Sequence, residues 1–248
     1  MENGLIKYYA AMVVLGVLWV ARPVMAADVV VYTENYGDFN SVDDSGQVVG
    51  PAADLIRQVM GETGLDYDIK LVPWNRAYTL ATKLDNALIY ALLRQSEREP
   101  NFHWLFPVFE TPLYLYGRQG EDRPITIEAL KQGRYTAACM LGDASCLILR
   151  DLGMPKDKIF EVADSHRGEM KVVASGRADV FIAQELHHLE DGKLVMDPDF
   201  MKLEQLPDTQ RFYLAAGKQV QPGLVEAVRQ AYESLKTSGD LLSVHPQH

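Results

Sequence analysis

The chain has 248 residues, with 34 acidic against 24 Lys and Arg side chains and a formal net charge of -10. Phosphate recognition needs clustered Lys and Arg, so DNA and RNA binding are excluded as function classes. An apolar fraction of 48% is that of a globular chain rather than a disordered one, and two cysteines cannot build a disulfide-rich scaffold or a four-thiolate zinc site.

The N-terminus reads as an export signal. Lys7 supplies a positive flank, and Tyr8 to Ala21 is an uncharged run rich in Val, Leu, Ala and Met. That run is shorter than the roughly 20 apolar residues of a membrane span. Val24-Met25-Ala26 suits a signal peptidase, so residues 1–26 are expected to be a signal peptide cleaved after Ala26; the other reading is an uncleaved membrane anchor. The only cysteines, Cys139 and Cys146, lie far from that point, which argues against a lipid anchor, and the expected compartment is the periplasm. In that oxidising space the pair can form a disulfide closing a short loop; the other reading is two buried free thiols.

Strands and helices then alternate. Val29 to Tyr32 is a short β-branched strand. Ala52, Leu55, Ile56, Val59 and Met60 recur at helical spacing, between Pro51 at the helix start and Gly64 at its exit. Tyr67 to Val72 alternates as a strand, Trp74 to Lys83 reads as a helix, and Ala87 to Leu92 is apolar throughout, as a strand covered on both faces is. From Pro107 to Pro124 proline punctuation marks a passage into a second unit.

There the pattern restarts: Thr126 caps a helix to Gln132, Tyr135 to Cys139 is a strand, and Ala144 to Leu152 is a helix closed by Gly153. A helix over 165–174, a strand over 179–183, a return strand from Arg211 to Ala216 and a last helix through Leu224, Val228, Ala231 and Leu235 complete it. The expected fold is α/β and two-lobed, each lobe a mostly parallel sheet flanked by helices, with two hinge crossings. Residues 27–114 and 209–248 form lobe 1, and 115–208 form lobe 2. The hinges are expected near Leu113–Gly117 and Phe212–Ala216.

Several segments carry a family likeness: Tyr32 to Phe39, the Gly46 to Gly50 turn before a helix, Pro73 to Tyr78, Arg94 to Glu99, Phe106-Pro107, Gly142 to Ser145 and Gly176 to Asp179. In this order the chain resembles the solute-binding proteins of bacterial amino-acid ABC transporters, solute-binding family 3, with the type II periplasmic binding fold. The resemblance implies a cleft that closes on a small solute. Arg98 stands where the family's arginine grips a ligand carboxylate, a role suited to its bidentate fork.

Asp143 and Ser145 open a helix whose start attracts an anion, although Asp143 can equally cap that helix itself. Tyr36 and Trp74 are candidate cleft walls, and Arg76 and Arg94 either face the cleft or form surface pairs. Gln184 occupies the position of the family's ammonium-binding acid, with Glu185 beside it. A neutral amide there puts a standard α-amino acid in doubt and points to a derivative, a short peptide or another organic acid.

The implied partners are a small-molecule ligand and an inner-membrane permease or a sensor receptor, with the protein acting as a monomer and without a cofactor. A periplasmic cyclohexadienyl dehydratase is similar to these binding proteins, so an enzyme using Glu185 or Asp143 as a proton donor is the alternative; the expectation is no enzyme. His187 and His188 are adjacent on an expected helix and cannot readily share a metal, so no metal site is expected.

Overall fold

The computed structural model describes residues 28–163, 168–185, 187–190 and 193–245. The segment expected as a signal peptide and the first part of the helix expected over 165–174 lie outside them. Strands in chain order are β1 (Val29–Thr33), β2 (Ser41–Val42), β3 (Val48–Val49), β4 (Tyr67–Leu71), β5 (Ala87–Leu93), β6 (Phe102–Thr111), β7 (Tyr114–Arg118), β8 (Ala137–Met140), β9 (Ile159–Val162), β10 (Val180–Ala183), β11 (His187–Glu190), β12 (Lys193–Met196), β13 (Phe200–Gln205) and β14 (Gln210–Gly217). The helices are α1 (Pro51–Glu62), α2 (Trp74–Lys83), α3 (Ile127–Lys131), α4 (Ala144–Asp151), α5 (Gly168–Ala174) and α6 (Pro222–Ser238).

Two five-stranded sheets carry the fold, with orders β4-β1-β5-β14-β6 and β13-β7-β10-β8-β9. In each, three neighbouring strands run parallel and two pair antiparallel: β5 with β14 and β14 with β6 in the first, β10 with β7 and β7 with β13 in the second. Both sheets are therefore mixed α/β layers, and each places one strand of the interlobe passage in the same relative position, β14 in one and β7 in the other.

Why the first sheet is apolar on both faces follows from its helices. Val31, Leu88 and Tyr90 pack with Leu55, Ile56 and Val59 of α1 and with Val228 and Leu235 of α6. Tyr32 and Ile89, one residue out of phase, pack on the other face with Trp74, Ala77 and Ala81 of α2. All seven residues of β5 are buried as a result. In the second sheet Tyr116, Ala138 and Phe181 meet Met170 and Val173 of α5, while Cys139, Val180 and Ile182 lie with Leu130, Ile148 and Leu149 on the opposite side.

The chain passes between sheets at Pro112–Leu113 and again between Gln205 and Gln210. The two passages are joined by Leu206 N–H donating to Leu113 O at 2.8 Å. The segments expected as hinges are instead ladder strands over most of their length: Tyr114–Arg118 is β7, and Phe212–Ala216 lies inside β14. A strand hydrogen-bonded on two sides is a poor place to absorb dihedral change, so the short connections are the natural pivots. The helix expected around His187 and His188 is also replaced, by the antiparallel pair β11–β12.

Candidate functional site

Lobe 1 supplies a rigid cation. A short 3-10 turn, Ser96–Asn101, follows β5 and turns Arg98 inward, where only 3% of it is exposed. Its guanidinium lies 5.1 Å from the Trp74 ring centroid and 5.6 Å from that of Tyr78. Nη1 donates to Leu93 O at 3.1 Å and Nη2 to Gly142 O, in the other lobe, at 3.3 Å. These bonds use two of its five N–H groups. Burial pulls the Arg98 pKa below its usual value, and the carboxylate of Asp143 acts against that.

The neighbouring turn is built around buried Asn40. Its Nδ2 donates to Thr33 Oγ1 at 2.9 Å and to Glu34 O at 2.6 Å, and its Oδ1 accepts from the Tyr90 hydroxyl. This fixes the turn carrying Glu34 and Tyr36 to the cavity wall. Tyr36 is half-buried against Phe212 and Phe109, with ring centroids 5.0 and 5.6 Å away. Burial, then Asp143 and Glu34, hold its phenol well above the ordinary tyrosine pKa, so it offers a neutral hydroxyl.

The cavity wall also holds a strained residue. Leu92 faces Tyr213 and Ile89 faces Ala215, so Tyr90 and Ala91 together oppose Leu214 in a β-bulge. Ala91 adopts φ 58, a left-handed conformation costing roughly 1–2 kcal/mol for a residue with a Cβ. Such strain is concentrated at binding sites, and Ala91 lines the cavity.

Lobe 2 answers with a loop between β8 and α4. Cys139 and Cys146 are joined by a disulfide with a Cα–Cα distance of 5.2 Å, and the bridge closes over Met140 to Ser145. Asp143 caps α4: its Oδ1 accepts from Ser145 N at 2.8 Å and from Ser145 Oγ at 2.6 Å. An anion approaching this helix start meets the carboxylate of Asp143, so the cap opposes the anion site expected there. At the end of β10, Gln184 comes against lobe 1; its Nε2 is 3.7 Å from where a Cβ of Gly37 would stand. Glu185 pairs with Lys202, whose ammonium lies 4.4 Å from the Tyr114 ring centroid.

Between the lobes lies a cavity of about 910 Å³. Tyr36, Trp74, Arg98, Asp143, Ser145 and Gln184 line it. Arg76 and Arg94 do not. Arg76 is exposed on α2. Arg94, exposed on the last turn of backbone after β5, bonds Glu99 at 2.6 Å and lies 5.4 and 5.6 Å from the centroids of Trp104 and Tyr213. The difference follows from place in the chain: Arg94 precedes the 3-10 turn Ser96–Asn101, whereas Arg98 lies within it and is folded back into the protein.

Lining residues that the sequence reading did not single out include Leu93, Glu169, Met170 and Phe212. Phe212 and Leu93 are paired across β14 and β5, a contact visible only once the return strand is registered. Among the described residues, no group of three His, Cys, Asp or Glu side chains is placed to hold a metal ion.

Residues 29–247 match the sequence profile of the bacterial extracellular solute-binding proteins, family 3. The chain belongs to that family. A search among curated proteins returns no significant match. Among solved structures, arginine-binding protein of T. maritima in its holo form superposes with a TM-score of 0.66 at 19% identity, covering 86% of this chain and 93% of that one. A histidine kinase sensor domain similar to periplasmic binding proteins gives 0.67 at 14% identity, covering 86% and 92%. An ancestral amino-acid-binding protein described as a precursor of cyclohexadienyl dehydratase gives 0.63 at 17% identity, covering 86% and 91%. At these identities the likeness is one of fold, the type II periplasmic binding architecture.

Proposed function

We propose that this family 3 protein is a periplasmic binding protein that captures an amino-acid-like solute between its lobes and presents it to an inner-membrane ABC permease. The observation that carries this is the interlobe cavity with one buried guanidinium, Arg98, on an aromatic floor. A desolvated fork favours a carboxylate, which it meets with charge-assisted, paired bonds. Carboxylates of Glu34, Asp143, Glu169 and Glu185 on the same lining favour a cationic group at the ligand's other end, with Tyr36 and Phe212 covering its apolar body. Arginine binding by the T. maritima protein is consistent with such a bipolar ligand. With Gln184 in place of an acid, an amino-acid derivative or short peptide fits as well as a free amino acid.

Two features support binding over catalysis. Asp143 is engaged as the α4 cap, and Glu185 is paired with Lys202, so neither acid stands ready as a proton donor. A second reading, capture of the same solute for a membrane receptor, draws support from the sensor-domain likeness. The test is a thermal-shift screen against amino acids, N-acyl derivatives, short peptides, polyamines and organic acids, since a ligand bound only by the native state raises the melting temperature. A hit bearing a carboxylate supports the reading; a response confined to compounds without one contradicts it.

A further inference from the structure

The two lobes touch each other directly, through backbone carbonyls of one short loop. Trp74 Nε1 donates to Gly142 O at 3.0 Å, Asn75 Nδ2 to Leu141 O at 3.0 Å and Arg98 Nη2 to Gly142 O at 3.3 Å. All three donors belong to lobe 1 and both acceptors to lobe 2. Gly142 O uses both of its lone pairs in this way. None of the three bonds requires a ligand.

The accepting loop is held in shape by independent means. The Cys139–Cys146 disulfide spans it, the Asp143 cap fixes its far end, and Gly142 adopts φ +82. A Cβ on Gly142 would lie 2.4 Å from Asn75 Oδ1, so only glycine lets the lobes approach this closely while Asn75 keeps its bond.

We infer that the Met140–Ser145 loop, cinched by the disulfide, is a latch that holds the cleft closed before any ligand enters, with Trp74 and Asn75 as the lobe 1 half of the catch. The bridge is then a positioning element for closure as well as a covalent staple. Reducing it frees the loop, misaligns the Leu141 and Gly142 carbonyls and shifts the empty protein toward an open form. Ligand entry requires that open form, so the apparent affinity is the intrinsic one scaled by the fraction that is open.

The experiment is small-angle scattering from full-length mature protein, freed of bound solute by dialysis from denaturant and measured without ligand. The samples are wild type, the double variant Trp74→Phe with Asn75→Ala, and wild type under dithiothreitol and again after reoxidation. The phenylalanine keeps an aromatic ring under Arg98 and removes the indole donor along with part of the buried ring volume, whose effect on folding the circular dichroism reads. The latch predicts a larger radius of gyration in the double variant and in the reduced protein, a return to the starting value on reoxidation, and unchanged far-UV circular dichroism throughout.

Equal radii for wild type and double variant overturn the latch. A radius that ignores reduction, with loss of the disulfide confirmed by mass, overturns the positioning role of the bridge. Unfolding on reduction, read as loss of the circular dichroism signal, overturns that role too and leaves the bridge as a staple. Because no ligand is used, these outcomes are separate from failure of the proposed solute binding.

Discussion

The two lobes share a sheet plan yet present opposite kinds of surface to the cleft. Lobe 1 offers side chains fixed by packing: Arg98 between Trp74 and Tyr78, and Tyr36 against Phe109 and Phe212. Lobe 2 offers backbone fixed by a covalent bond and a cap, the Cys139–Cys146 loop with Asp143 at its end. One side gains precision from burial, which resists rotamer change. The other gains it by restricting a loop that has little core of its own. Each lobe therefore has a different weak point, and substitutions separate them.

The largest effect is expected at Arg98. Arg98→Ala removes the buried cation and the bond to Gly142 O, and a carboxylate ligand should lose roughly 2–5 kcal/mol, about 30- to 4,000-fold in Kd. Calorimetric titration measures this, and Arg98→Lys should not restore it because an ammonium cannot reproduce the fork. Next comes the lobe 2 staple. Cys139→Ser with Cys146→Ser should lower unfolding stability by roughly 2–3 kcal/mol, as expected for a short closed loop, read from urea midpoints.

Gly142→Ala attacks the meeting point of the lobes. The left-handed conformation alone costs about 1–2 kcal/mol, and the new methyl displaces Asn75. Stability should fall by about that amount, read from urea midpoints, and the empty protein should shift toward the open form.

Acid should loosen lobe 2 through Glu121. Hydrogen bonds from Arg123, the main cause, hold its carboxyl at about 2 against the usual 4.5. A depressed native pKa means that its contribution is complete above pH 4.5 and is lost as pH falls from 4.5 toward 2. Urea midpoints measured across that window should decline, and Glu121→Gln should flatten the decline. The smallest effect is expected at Arg94→Ala, an exposed pair outside the cavity: under about 1 kcal/mol of stability and no change in ligand affinity. A large affinity loss there would return Arg94 to the site.

What could be seen in the sequence divides along the same line. The apolar periodicity of α1 and the unbroken run of β5 were readable because burial on defined faces leaves a pattern. Thr126 was readable as a cap, and capping was one of two readings of Asp143, because a side-chain oxygen before a helix has a local purpose. The extent of β6 was hidden by Pro107, which sits within the strand at a register irregularity where it faces Tyr213. Arg98 was set apart from Arg94 only by the family likeness, and it is its place inside the 3-10 turn Ser96–Asn101 that buries it while Arg94, ahead of that turn, stays exposed. The contacts of Trp74 and Asn75 with Gly142 and Leu141 span more than 60 positions and leave no local trace.

The central claim is most directly tested by titrating wild type and Arg98→Ala side by side in the thermal-shift screen, using L-arginine, its N-acetyl derivative, arginine-containing dipeptides and the decarboxylated amine. The account predicts that at least one carboxylate-bearing compound raises the wild-type melting temperature and leaves the variant unmoved, while the amine moves neither. A compound that stabilises both proteins equally, or a panel in which the amine alone acts on wild type, would contradict it.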